Sequence, residues 1–378
     1  MLKPGRILIV GGGIAGLTLA AALHQRRFDV HLVERDTTWR PVGGGIAVQP
    51  NGIRVLRELG LGDAVERAGA TLRRWVFRDR HGELLCSVNL QALWGEVGPF
   101  IGVGRVGLHE ALLAGTAGLV PCRLGTWVAS LRQEDRGVSV GFGDGTRGEF
   151  ALVVGADGIS SAVRQLAALG TPPVYGGQMV WRSLAPFRAP EPDDGSLQFW
   201  LGDGLFFGLC PAGNGFTYGF ANATVPRFHD PVEGRLERLR GRFAGFGGQI
   251  RDYLATLHAD AQIHCGPIEW LEPDRWHVGR VVLIGDAAHA SSPMMGQGGC
   301  MAMEDALVLA ETLHASADVE GALDLFAVRR KPRVTWVQRE SRAVGEMLRV
   351  PPERRDAVLR ERGERAFWDR FRPLAARP

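Results

Sequence analysis

Apolar and polar positions change their period several times along the chain. From Arg6 the segment RILIVGGGIAGLTLAAALHQRRFDVHLVERD starts with a short β-branched run and turns at glycines into an Ala/Leu-rich stretch. It ends in an alternating run that closes at Glu34. That order predicts a strand, a helix and a second strand, a βαβ unit. Pro50 to Leu59 reads as a helix with Asn51 capping its amino end and Gly60 stopping it, and Arg105 to Ala114 reads as another. Runs from Trp75 to Val88, Val138 to Phe142 and Phe150 to Val154 read as strands, separated by turns at Asp79 to Gly82 and at Asp144 and Gly145. From about Gly176 to Ile268 the chain becomes aromatic and Gly-rich, predicting an antiparallel sheet followed by a helix-rich piece from Pro231 to Leu257. The apolar run VVLIGD at 281 to 286 returns to the opening style, and Gly298 to Leu313 has helical spacing.

With 378 residues and 45% hydrophobic content the chain is long enough for two domains or one composite one. The charges, 44 Lys+Arg against 41 Asp+Glu, are too balanced and dispersed for a dedicated nucleic-acid binder. Residues 329 to 378 do carry 15 basic against 7 acidic residues. Such a tail predicts helices with a solvated polar face, docking on an acidic partner or membrane surface being the alternative. Five cysteines without a C-x-x-C pair indicate neither a zinc site nor a disulfide framework, so reduced thiols in a cytoplasmic protein are expected. No H-x-x-x-H or H-E-x-x-H spacing occurs, and no metal is expected. Neither an export signal nor a run of about 18 apolar residues, the length a membrane span needs, is present.

Gly11, Gly13 and Gly16 form G-x-G-x-x-G after a predicted strand and at the start of a predicted helix. The first glycine permits the turn, the second lets a pyrophosphate approach the backbone, and the third lets helix and strand pack, with the helix amino end facing the phosphates. Glu34, 18 residues after Gly16, ends the next strand and can accept both ribose hydroxyls. Its carboxylate repels a 2′-phosphate, so the site suits FAD or NAD rather than NADP.

Two further segments decide between them: LVVGADGISSAVR at 152 to 164 and RVVLIGDAAHASSPMMGQGGCMAMEDA at 280 to 306. With these motifs in this order the chain resembles the para-hydroxybenzoate hydroxylase-like class A flavoprotein monooxygenases. GGGIAVQPNGIRVLRELGL at 43 to 61, Arg105 with Leu108 and Leu112, and FAVRRKPR at 326 to 333 extend the resemblance over nearly the whole chain. It implies an α/β fold: a Rossmann-like FAD-binding domain with an inserted antiparallel substrate sheet, plus C-terminal helices. FAD-binding parts are then expected at 1–72, 104–175 and 271–325, substrate-domain strands at 73–103, the substrate sheet at 176–270 and a helical region at 326–378. FAD is the implied cofactor, NADH or NADPH the reductant and dioxygen the co-substrate.

The resemblance also assigns roles. Gly11, Gly13, Ile14, Ala15, Gly16, Glu34, Arg35, Gly45, Ala47 and Val128 fall on cofactor-binding positions. Arg105 reaches the pyrophosphate or ribityl region, and a guanidinium suits phosphate oxygens. Asp157 belongs to a motif linked to FAD and reductant binding. Gly285 and Asp286 form the motif whose aspartate holds a ribityl hydroxyl. Gly296, Gly298 and Gly299 lead into a helix whose positive end faces the flavin N1 and C2 carbonyl, and Pro293 sits near the flavin face. His289 reads as a structural, hydrogen-bonded histidine. The lack of a second G-x-G-x-x-G fits a transiently bound nicotinamide.

On the substrate side the middle sheet walls the pocket, with Trp181, Phe199, Phe206, Phe207, Tyr218 and Phe220 as candidate lining. Alternation along one strand makes Phe216, Tyr218 and Phe220 point together. Tyr218 is the preferred polar contact and Arg182 the alternative anchor for a carboxylate or phenolate; these two are the candidate catalytic residues. Phe206, Tyr218, Phe220 and Pro293 are the expected substrate pocket. Tyr218 aligns with a substrate-contacting tyrosine of flavin-dependent urate hydroxylases, but Phe206 stands near the arginine of those enzymes, which argues against urate. The implied reaction is NAD(P)H-driven hydroxylation of a small aromatic or heteroaromatic compound through a flavin C4a-hydroperoxide, by a monomer or homodimer. An epoxidase or a non-oxygenating oxidoreductase of the same fold is the alternative, and a non-catalytic FAD-binding partner protein the more distant one.

Overall fold

A computed structural model describes residues 5–39, 44–170, 172–190 and 192–378. Its first layer is a six-stranded sheet in the order His277–Val278, Val281–Leu283, Leu152–Gly155, Ile7–Val10, Val30–Glu34, Cys122–Leu124. The strands run parallel except His277–Val278 at the edge. Ile7, Leu8 and Ile9 are wholly buried, which explains why this strand reads as a continuous apolar run: both faces of a parallel sheet are covered. The Ile14–Gln25 helix packs against the long Gly298–Ala315 helix on one side. A three-stranded antiparallel sheet, Val128–Glu134, Gly137–Phe142 and Arg147–Phe150, lies against the other.

The second layer is a seven-stranded sheet in the order Ile263–Trp270, Val174–Pro186, Phe216–Thr224, Leu205–Pro211, Ser196–Leu201, Arg74–Asp79, Leu84–Asn89. Only the Ser196–Leu201 and Arg74–Asp79 pair is parallel. One face packs on the Arg235–Arg242 and Gln249–Ala255 helices through a core of Trp200, Phe207, Phe243 and Tyr253. The other face turns toward the parallel sheet. A small sheet of Gly45–Val48, Phe100–Gly104 and Ala70–Leu72 joins the layers. Helices Val319–Met347 and Pro352–Phe371 close the chain.

Several local expectations need correction. Asn51 does not cap its helix: Pro50–Glu58 has Gln49 at the cap position, and the wholly buried Asn51 amide is spent on Gln297 and Glu304. The run from Phe150 to Val154 is not one strand, because Arg147–Phe150 and Leu152–Gly155 belong to different sheets. The basic tail is helical but not merely solvated. Arg330 and Arg355 are buried, and Phe367 meets Trp75 of the seven-stranded sheet at 4.6 Å between ring centres.

Candidate active site

The first glycine turn lies where the strand Ile7–Val10 ends. Gly11 takes φ +107°, and a side chain there would run into the backbone of Ala156 and Asp157. A methyl on Gly16 would strike the Gly11 carbonyl, so this glycine lets the helix start directly against the turn. The Ile14–Gln25 helix has neither a side-chain cap nor an acidic residue in its first turn, which leaves its amino-terminal N–H groups and positive dipole end for an anion. Glu34 closes the cradle: Oε2 accepts the Gly12 N–H at 2.7 Å and Oε1 the Asp36 N–H at 3.0 Å.

This cradle opens into a cavity of about 1130 Å³ between the two large sheets. Gly11, Gly13, Ile14, Ala15, Glu34, Arg35, Gly45, Ala47 and Val128 line one part of it, with Arg105 and Asp157. Asp286, Pro293, Gly296, Gly298 and Gly299 line the part beside the Gly298–Ala315 helix, whose amino end also lacks a side-chain cap and first-turn acids. Gly16 and Gly285 lie outside the lining; Gly16 packs the turn, and Gly285, at φ +57°, faces Ala15 and Ala302 behind Asp286. Gly43, the first residue of the 43–61 match, lies outside the described residues. The Asp286 side chain is exposed to the cavity and has no partner among the described residues. Asp157 is engaged differently: its carboxylate accepts the Ser161 hydroxyl at 2.5 Å and the Val163 N–H at 3.1 Å, fixing the turn. Burial pushes the Asp157 carboxyl above its ordinary pKa. Arg164, buried, ties this turn to the Asp286 segment by donating to the carbonyls of Ile159 and Ala287.

A polar network missed by the sequence reading anchors the glycine loop from behind. Gln49 donates to the Met295 carbonyl and accepts from Gln297, which also meets Asn51. Asn51 donates to Glu304, Glu304 accepts from Arg330, and Arg330 also holds Asp305. Asp305 in turn contacts His289 Nε2 at 2.5 Å and accepts the Gly285 N–H at 2.9 Å. His289 is therefore a buried member of the scaffold.

On the facing sheet the period of two selects the lining. Tyr218, Phe220 and Asn222 face the cavity from Phe216–Thr224, and Val180 and Arg182 from the next strand. Phe206 and Cys210 do so from Leu205–Pro211, Phe199 from Ser196–Leu201, and Trp75 and Phe77 from Arg74–Asp79. Two expected lining residues point the other way. Trp181 and Phe207 are buried in the core behind the sheet, where the Trp181 indole N–H reaches Asp230 at 2.9 Å. Phe216 shares the Tyr218 face but lies beyond the cavity, exposed. The C-terminal helices cover the mouth with Met347, Leu348, Leu359 and Phe367.

Tyr218 stands where the two halves meet, packed so closely that a methyl on Gly45 would lie 2.6 Å from its Cβ. Burial pushes its phenol above 10.0; the Arg182 and Arg105 charges pull the other way without reversing the shift. Neither arginine has an ion-pair partner among the described residues. His264, across from Arg182 in the sheet, is held below its ordinary pKa by burial and by the Arg182 charge. The Tyr218 hydroxyl is thus a neutral hydrogen-bond donor at pH 7, set in a positive field.

A glycine turn at an uncapped helix amino end, an acid at the end of the next strand and a second uncapped helix amino end around one cavity fit FAD, with an aromatic wall opposite for a planar substrate. That combination defines a flavin-dependent oxidoreductase. The family model for the FAD binding domain matches residues 5–224 and 268–341. The chain is 35% identical to the aurachin C monooxygenase/isomerase of Stigmatella aurantiaca, covering 90% of this chain and 89% of that protein. It is 34% identical to the 3-amino-4-hydroxybenzoate 2-monooxygenase of Streptomyces cremeus, covering 94% and 91%. The structure of Klebsiella pneumoniae HpxO with FAD and uric acid superposes with a TM-score of 0.90 at 28% identity, over 98% of this chain and 96% of that one. The chain belongs to this FAD-binding family and is a class A FAD-dependent monooxygenase with the para-hydroxybenzoate hydroxylase-like fold.

Proposed function

We propose that the enzyme hydroxylates a phenolic or hydroxylated heteroaromatic ring held by its oxygen at Tyr218 and Arg182. The observation that carries this reading is the Arg182 guanidinium, without a carboxylate partner among the described residues, beside a phenol that burial keeps protonated on an aromatic face. A cation and a neutral donor together stabilise an anionic oxygen, and an ionised phenol is the more electron-rich ring. FAD bound in the cradle supplies electron transfer from the nicotinamide and activation of dioxygen. The chain's own residues bind and orient the ring, and the apolar cover of Met347, Leu348 and Phe367 keeps water away.

Five free cysteines support a reducing, cytoplasmic setting. No helix among the described residues is long and apolar enough to cross a membrane.

The test is NADH and NADPH oxidation by purified holoenzyme across phenols, hydroxybenzoates and hydroxylated heteroaromatics, with isotopically labelled dioxygen and mass analysis. One compound should accelerate oxidation and gain one labelled oxygen atom. Tyr218→Phe should keep its FAD and lose about 10- to 100-fold in kcat/KM, the worth of one hydrogen bond to a charged oxygen. Unchanged turnover in that variant removes Tyr218 from the site.

A further inference from the structure

Asn222 is wholly buried on the cavity face of Phe216–Thr224, and neither atom of its amide has a hydrogen-bond partner among the described residues. Its neighbours across the sheet are Val180 and Phe206. Phe206 belongs to an apolar cluster with Leu201, Leu348 and Leu359, against which Phe220, Met294 and Met347 pack. An unsatisfied primary amide in such surroundings lowers stability, and a leucine of nearly the same shape would avoid the loss. The polar group is therefore explained by something that enters the cavity.

We infer that Asn222 reads the far end of the substrate, pairing with a lactam or amide edge that offers one N–H and one C=O side by side. The carboxamide presents one acceptor and one donor group, so such an edge satisfies both at once. This inference rests on the proposal that the phenolic end lies at Tyr218 and Arg182. Tyr218 and Asn222 are four residues apart on one strand and share a face, which separates them by roughly 13 Å. A hydrogen bond of about 2.9 Å at each end leaves about 7 Å between the polar ends of the ligand. Two fused six-membered rings, with the lactam closing one of them, have that long axis; a single ring that holds both the phenol and the lactam is too short. Phe220, between the two anchors in the strand, supplies an aromatic surface for the rings. The substrate class is thus a fused bicyclic phenol with a lactam at the opposite end.

The probes are 6-hydroxyquinolin-2(1H)-one and 2-naphthol, which share the phenol and ring system and differ in the lactam. Calorimetric titration into FAD-loaded enzyme should show the quinolinone binding at least about tenfold more tightly. In Asn222→Leu the ratio should fall to within about twofold, with FAD content kept and the melting temperature of the ligand-free holoenzyme equal or higher. Equal affinities in the wild type, or a ratio preserved in the variant, overturn the role of Asn222. A variant that loses FAD or melts lower assigns Asn222 to packing and overturns it too. The wild-type ratio needs no variant and decides the matter independently. Arg182→Met separates the two readings: equal weakening of both probes sustains the phenol end whatever Asn222 does, and binding of neither probe to the wild type overturns both.

Discussion

Replacing Arg330 by methionine tests whether the buried ionic scaffold, and not the flavin cradle alone, shapes the site. Arg330, Glu304 and Asp305 are all fully buried; the guanidinium donates to Glu304 at 2.7 Å and to Asp305 at 2.8 Å. Removing one partner of a buried ion pair costs about 3–5 kcal/mol because an uncompensated charge stays inside. Here Glu304 keeps Arg333 and Asn51, and Asp305 keeps His289 and the Gly285 N–H. The lower end, about 3 kcal/mol, is therefore expected, equivalent to a fall in melting temperature of roughly 4 °C for a chain of 378 residues. Because Glu304 and Asp305 hold Asn51 and Gly285, FAD retention should weaken as well.

The pH dependence gives the sharper test. Burial pushes the Asp305 carboxyl up, but the His289 and Arg330 charges more than offset it and leave it below its ordinary value. In the wild type this contribution is present above the unfolded pKa near 4 and is lost as pH falls through the still lower folded value. Without Arg330 its two lowering influences go while burial stays, so the folded pKa rises from its wild-type value. The folded variant then binds the proton more tightly, so its penalty is full at neutral pH and shrinks as pH falls through the raised value. Melting curves of FAD-loaded wild type and Arg330→Met at pH 8 and pH 4 should show the gap closing on the acid side. A gap below about 1 °C at pH 8, or one of equal size at both pH values, refutes the reasoning.

Three other substitutions separate the parts of the site. Asp286→Ala should purify depleted of FAD, with affinity reduced about 10- to 100-fold for the loss of a hydrogen bond to a charged acceptor; full occupancy measured from the flavin absorbance would place that contact elsewhere. Trp181→Phe should lower stability by about 1–2 kcal/mol through the lost bond to the buried Asp230 while leaving kcat/KM unchanged, because the indole lies behind the substrate wall. Phe367→Ala removes a ring stacked on Phe371 and set against Trp75; it should cost about 3 kcal/mol in denaturant unfolding and raise the share of nicotinamide oxidation that ends as hydrogen peroxide.

The cofactor half of the site was legible because its signals are local. Strand, glycine turn, helix and acid follow one another within the first 34 residues, and Gly16 answers to Gly11 a few residues away, whereas the room Gly11 leaves for Ala156 and Asp157 shows only in the fold. The aromatic wall depends on a choice that local sequence leaves open. Phe206 and Phe207 are consecutive and cannot share a face of one strand, and nothing in their own segment says which turns inward. The pairing of Phe206 with Asn222, and of Asn222 with Val180, decides it. Arg182 and Trp181 pose the same choice, and there the wrong member, Trp181, was counted with the lining because bulk and aromaticity suit a core as well as a pocket.

The C-terminal helices were hidden for a different reason: an excess of arginine was read as solvent-facing. The contrary signal lay elsewhere in the chain, at Glu304 and Asp305. These are consecutive acids in a stretch from Cys300 to Ala310 that is otherwise apolar. A helix apolar on all sides is a buried one, so both carboxylates go into the interior, and buried carboxylates need cations brought to them. Within the same sheet-covering layer the first half of the chain offers Asn51, a neutral partner. The guanidinium groups that pair with the two acids come from the tail, which supplies Arg330 and Arg333. Once those two arginines are drawn in, the helix that carries them lies over the flavin side of the cavity, and the next helix brings Phe367 onto Trp75. The cover of the substrate site thus follows from two acids more than twenty residues before it.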